Sequence, residues 1–222
     1  LQNLGTNLDQ SNGRIALDVS TAAALAGKGA TLVMYGLPSG ITSGQLIVRD
    51  DTGNLDPTAT IGGFSQDPIT NNVSFTTSHF TQFDIDSTAP TTSDNADGSW
   101  HNTTQIITLT CNDNLSGCDK TYYTTNGDTP TTASTEGTSI ELTASGTYPI
   151  KYFSVDKAGN TEAVKGSTTV KIDKTAPTNP GTPVSDQEDP TNQNILGWSW
   201  TASSDTLSGL DSYIWNLIDN SS

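Results

Sequence analysis

Two short strings each occur twice in this chain, at nearly the same interval. Asp-x-Thr-Ala-Pro-Thr begins at Asp86 and again at Asp173, 87 residues apart. Asp-x-Leu-Ser-Gly-x-Asp begins at Asp113 and again at Asp205, 92 residues apart. Recurrence at a near-fixed period means that one structural unit is used more than once. The 222 residues then divide into a first unit, 1–86, a complete copy of the repeat, 87–172, and the opening part of another, 173–222. Half a repeat leaves strand edges and an apolar face uncovered, so the third unit is expected to be completed from outside this sequence. The remainder of a longer chain or a strand from a neighbouring subunit would do so.

Within the complete copy, apolar residues alternate. In 105–111, Ile107, Leu109 and Cys111 share one face at period two, the signature of a half-buried strand. Further strands are expected over 121–125, 139–143, 148–155 and 167–172, with a turn at 156–160 where Gly159 is free to take positive φ. The third unit reads as strands over 195–201 and 213–218. In the first unit, strands are expected over 14–19, 31–37, 45–49, 72–77 and 81–85. Val73, Phe75, Phe83 and Ile85 then face the core, with a bulge near 78–80 and one helical turn over 20–26. Short strands separated by Gly, Asn and Asp turns define an all-β chain of tandem immunoglobulin-like β-sandwich modules. Pro90 and Pro177 stiffen the two short linkers into extended conformations.

Charge narrows the partners. Nine Lys and Arg against 24 Asp and Glu give a formal net charge of −15, which repels nucleic-acid backbones and anionic lipid. No apolar run is long enough to span a bilayer, so this segment is not expected to insert in a membrane directly. The two cysteines, Cys111 and Cys118, have six residues between them. A zinc site would need closer spacing and a second ligand pair, so a local disulfide is the better reading, and it places the chain in an oxidising compartment.

Catalytic constellations are missing, and no cofactor is expected. His79 and His101 fall in different units, Gly27-Lys28-Gly29 lacks the rest of a phosphate loop, and no Gly-x-Ser-x-Gly elbow occurs. Asp113 and Asp119 flank Leu-Ser-Gly, as Asp205 and Asp211 do in the second copy. They suit either a calcium loop or a turn in which Asp113 accepts the loop's own N–H groups. The turn is favoured, because an oxygen cage of six or more ligands is not evident. Asp50, Asp51, Asn54 and Asp56 pose the same choice. Trp198 and Trp200 alternate onto one side of a strand, as a sugar-stacking platform or as core; burial in the core is expected.

A family resemblance adds to this. The residues that carry it are Thr88-Ala89-Pro90, Gly98-x-Trp100-His101-Asn102, Cys111-x-Asp113-x-x-Ser116-Gly117-Cys118, Tyr122 to Pro130, and Ile150 to Asn160. On these, residues 86–172 resemble the immunoglobulin-like repeats of bacterial surface and secreted proteins, and the C-terminal module of chitobiase and β-hexosaminidase type enzymes. Residues 177–218 resemble the first half of a fibronectin type III module. The resemblance implies a spacing, adhesive or enzyme-accessory role and carries over no catalytic residue. The expectation is therefore an extracellular structural or adhesive stalk segment of a cell-surface protein or filament, without catalytic activity, whose partners are neighbouring modules or subunits, with surface glycans as a further candidate. The alternative is an accessory or glycan-binding segment of a secreted glycan-degrading enzyme.

Overall fold

A computed structural model describes residues 8–9, 14–17, 30–35, 37–49, 54, 56, 58–78, 82–185 and 197–216. The expected helical turn over 20–26 and most of the expected bulge near 78–80 lie outside these residues.

The described residues of the first part form β1 (Leu8–Asp9), β2 (Arg14–Leu17), β3 (Ala30–Met34), β4 (Leu46–Arg49), β5 (Ile61–Gln66), β6 (Val73–Thr77) and β7 (Gln82–Ile85). They form two sheets, ordered β1-β2-β7-β4 and β3-β6-β5. Period two puts Val73 and Phe75 of β6 and Phe83 and Ile85 of β7 into one core with Met34, Leu37, Ile41 and Leu46. The rings of Phe75 and Phe83 meet at a centroid distance of 5.0 Å, tilted by 57°, a favourable aromatic geometry. Strand β5 was not expected from the sequence, because Gly62-Gly63 reads as a turn. The structure uses the pair as an irregularity within the strand, where the register with β6 shifts between Gly62 and Ser65. Gly63 has φ +57°, and a Cβ on Gly62 would lie 3.0 Å from Thr76 Oγ1.

The second part contains β8 (Thr91–Asp94), β9 (Trp100–His101), β10 (Gln105–Asn112), β11 (Cys118–Thr124), β12 (Thr135–Glu136), β13 (Ser139–Leu142), β14 (Gly146–Tyr148), β15 (Lys151–Asp156), β16 (Lys165–Gly166) and β17 (Val170–Ile172). Three sheets result, ordered β13-β10-β8, β12-β11-β15-β16 and β14-β17-β9. Ile107, Leu109, Ile140, Leu142, Ile150, Tyr152, Val170 and Ile172 form a separate core. The fold is thus an all-β sandwich, as the alternating pattern required.

Two devices tie the sheets of this part together. Cys111 and Cys118 are bonded, with Cα atoms 6.3 Å apart; Cys111 pairs in the ladder with Thr92 of β8, and Cys118 with Asp156 of β15. The second device is polar. The buried Glu162 carboxylate accepts the backbone N–H of Thr92 through Oε2 (3.1 Å) and of Ser154 through Oε1 (2.9 Å). Lys165 Nζ lies 2.8 Å from Glu162 Oε2 and donates to Thr92 O at 2.9 Å. Ser154 Oγ, fully buried, also bonds Thr92 Oγ1 (2.6 Å) and Thr121 Oγ1 (2.7 Å). The network takes a place that a fatter core would give to side-chain methyls.

The third part shows one short antiparallel pair, β18 (Val184–Ser185) with β19 (Trp198–Ser199). Two expectations are corrected here. Residues 213–216 form no strand, and Trp198 and Trp200 are 48% and 44% exposed rather than buried. Among the described residues of this part the two strands provide one layer, and an aromatic face is buried only where a second layer covers it.

Closing the eight-residue Cys111–Cys118 loop is expected to stabilise this part by about 2.5 kcal/mol in the chain-entropy account. The Cys111→Ser/Cys118→Ser protein should lose that amount in urea denaturation. Glu162→Ala should lose about 2–4 kcal/mol, because it leaves two buried N–H groups without an acceptor; a loss below about 1 kcal/mol would contradict the role given to Glu162.

Candidate metal centre at the junction

The two repeated strings are two halves of one contact. At the end of β7 the backbone N–H of Asp86 donates to Gln45 O at 2.8 Å, which extends the β4–β7 ladder by one bond. Its carboxylate then turns to the next sandwich. Oδ2 accepts the Ser116 N–H of the Leu-Ser-Gly loop at 2.9 Å, and Oδ1 accepts Thr88 N–H at 3.1 Å. One Asp therefore belongs to the first part by its backbone and to the second by its side chain.

The second junction repeats these backbone N–H bonds and adds one from a hydroxyl. Asp173 N–H donates to His101 O at 2.8 Å. Its Oδ2 accepts Ser208 N–H (3.0 Å) and Ser208 Oγ–H (2.8 Å), and its Oδ1 accepts Thr175 N–H (2.9 Å). Thr178 N–H donates to Ser204 O at 2.9 Å, where the first junction pairs Thr91 with Asn112. The Leu-Ser-Gly loops are also alike. Asp113 Oδ2 accepts Leu115 N–H (3.0 Å) and Gly117 N–H (2.7 Å), while Asp205 Oδ1 accepts Leu207 N–H (3.0 Å) and Gly209 N–H (3.1 Å). The turn reading of Asp113 describes its Oδ2. Gly117 and Gly209 hold φ +83° and +78°, a conformation that favours glycine there.

At the first junction a third carboxylate joins. Asp86, Asp113 and Asp156 each offer an oxygen, and these oxygens all lie within 4.8 Å of one another. Asp86 and Asp156 are each 1% exposed. Asp156 closes β15, and its Oδ1 accepts Asn160 N–H at 2.8 Å. Asn160 Nδ2 donates to Asp156 Oδ2 (2.8 Å) and Asp86 O (3.0 Å), and its Oδ1 accepts from Gln45 Nε2 (2.8 Å). Arg49 crosses the junction too, donating from Nη2 to Leu115 O at 2.9 Å while its Nε lies 3.5 Å from Asp84. Among the described residues, Asp113 Oδ1 is the buried side-chain oxygen without a hydrogen-bond partner.

Of the two aspartates weighed as a calcium loop against a turn, the structure brings Asp113 into this group and leaves Asp119 out, exposed on β11. Sequence reasoning did not find Asp86 and Asp156 as partners of Asp113. In the sequence Asp86 marks only the start of a repeat string and Asp156 the start of a turn. Asp50 and Asp51 lie outside the described residues; Asp56 serves a local turn, accepting Thr58 N–H at 2.8 Å. His101 is committed to Asp97, 3.0 Å away, and His79 lies outside the described residues. Trp198, Trp200, Tyr213 and Trp215 line an open groove with Pro180 and Pro183.

These features define an immunoglobulin-like sandwich entered through an aspartate-clamped linker. Residues 95–168 match the family model described as Chitobiase/beta-hexosaminidase C-terminal domain, so the second part carries a module of that type. No curated protein matches the chain.

The clamp has a pH signature at the second junction. Asp173 is held below the usual carboxylate range, first by the N–H of Thr175, then by the N–H and hydroxyl of Ser208, with a further contribution from Asp205. A folded-state pKa below the unfolded value stabilises above the unfolded pKa, and that stability is lost as pH falls through the folded one. The Ser208 amide resonance is therefore expected to hold its position from neutral pH downward and to shift with a midpoint below about 3.9. A midpoint at or above that value would remove the carboxylate from the clamp.

Proposed function

We propose that the chain is a non-catalytic, extracellular spacer built of three immunoglobulin-like modules, 1–86, 87–172 and 173–222, the last of fibronectin type III kind. One observation carries this reading: the same aspartate joins the end of one module to the Leu-Ser-Gly loop of the next at both junctions. A linker whose aspartate is bonded on both sides fixes the angle between modules, as a spacer requires and a flexible tether does not. The Cys111–Cys118 bond supports an oxidising compartment. Its partners are the neighbouring modules or subunits, with the parent protein presented at a cell surface or in a filament.

A second reading has its own support. The family matched by residues 95–168 is named for the C-terminal domain of glycan-cleaving enzymes, and the Trp198–Trp200–Tyr213 groove offers ring faces to solvent. Sugar rings stack on such faces, so an accessory segment of a secreted glycan-degrading enzyme is the alternative.

Small-angle scattering and calorimetry separate the two. The spacer reading expects an Asp86→Ala/Asp173→Ala chain to shorten its maximum dimension and broaden its distance distribution, with each core still folded. It also expects no heat on titration with β-1,4-linked N-acetylglucosamine oligomers. Binding that is lost in Trp198→Ala/Trp200→Ala, beside unchanged scattering of the aspartate variant, would replace the spacer reading with the accessory one.

A further inference from the structure

We propose that Asp86, Asp113 and Asp156 bind a calcium ion, and that this ion locks the junction between the first two modules. Three side chains from separate places in the sequence converge: the linker, the loop between β10 and β11, and the end of β15. Their oxygens lie within 4.8 Å of each other, the span across a shell in which each ligand sits about 2.3–2.6 Å from calcium.

The orphaned Asp113 Oδ1 is the second, independent observation. The carboxylate satisfies its loop entirely through Oδ2, so the turn needs only one oxygen. The other is shut away from water with no donor, which is costly for an ionised group unless a cation meets it. A structural Asx turn has no use for that arrangement; a metal ligand does.

Neighbouring groups extend the oxygen set. A half-turn of the Asn160 amide presents Oδ1 toward Asp86 and Asp156, and a matching half-turn of Gln45 keeps the bond between the two amides. Asp86 O, now accepting from Asn160 Nδ2 at 3.0 Å, is then available as well. The donors are all hard oxygens, which selects against zinc and copper. Mixed carboxylate, amide and carbonyl ligands on four segments suit the adaptable shell of calcium better than the strict octahedron of magnesium.

The consequence is mechanical. Asp86 already hydrogen-bonds to both modules, and an ion shared with Asp113 and Asp156 adds bonds from the linker to two loops of the second module. The second junction repeats two of the three carboxylates, Asp173 and Asp205. Cation binding does not rest on the spacer reading: binding without a change in dimensions would defeat the mechanical role of the ion and leave the site in place.

The 222-residue chain is stripped with chelator and titrated with calcium and with magnesium by calorimetry and thermal melting. Calcium is expected to bind with Kd of about 10⁻⁴–10⁻³ M, the range of extracellular modules, and to raise the melting temperature more than magnesium does. Asp113→Asn keeps an oxygen for Leu115 and Gly117 and places an amide where the orphaned oxygen was. It is expected to melt at or above the wild-type temperature without calcium, yet to weaken calcium binding at least tenfold. Asp119→Asn removes the same charge from an exposed position nearby and should change nothing, which distinguishes a site from diffuse attraction to an acidic chain. The proposal is overturned by no heat and no thermal shift up to about 10 mM calcium. Unchanged affinity in Asp113→Asn, or equal weakening in Asp119→Asn, overturns it too.

Discussion

Asp86 stands where the chain leaves one sheet and enters the next, and the geometry of the junction follows from its two ends. Its N–H is bound to Gln45 in the first module, and its carboxylate to Ser116 and Thr88 in the second. Backbone N–H donors to a charged acceptor make stronger and more directional bonds than surface ion pairs do. The rest of the junction assembles around that residue. Asn160 reaches Asp86 O, Gln45 reaches Asn160, and Arg49 reaches the carbonyl of Leu115. Pro90 limits the linker's alternatives but makes none of these bonds, so the proline stiffens and the aspartate orients.

How much of this was readable follows from what period-two patterns and short strings can encode. Strands β6, β7 and β10 were legible because their apolar residues alternate and their bulk fills the two cores. Strand β5 was hidden by Gly62-Gly63, whose local preference is a turn and whose role is set by the approach of Thr76. Both repeat strings were visible, and both Asp113 and Cys111–Cys118 were singled out. That Asp86 touches Ser116, thirty residues on, was not visible, since a string reports recurrence and not contact. Asp156 escaped for a similar reason: Asp-Lys-Ala-Gly-Asn reads fully as a turn, and nothing local says that its carboxylate faces inward.

The composition also took on meaning only in three dimensions. With 32% hydrophobic residues, the sandwich cannot cover its interior with side-chain carbon alone. Thr92, Thr121, Ser154 and Glu162 occupy part of it, each satisfied by a neighbour in the same network. Such a core is all-or-none in its polar part: complete, it fixes the relative position of β8, β11 and β15, and missing one member it leaves several buried groups without partners. The disulfide joins the same two sheets beside this network, with Cys111 opposite Thr92 in the ladder, so a covalent tie reinforces the polar one.

None of the described residues of the third part is a buried hydrophobic, and Trp198, Trp200, Tyr213 and Trp215 all face solvent to a large degree, yet residues 173–178 and 203–209 keep the backbone N–H bonds of the first junction. The clamp's geometry is therefore local: an Asp, a Thr two residues on, and a Leu-Ser-Gly loop closed by its own Asp. That independence lets the same junction form on either side of the second sandwich. It also assigns the repeat strings their physical meaning, because they recur at the residues that join modules while the cores between them are free to differ.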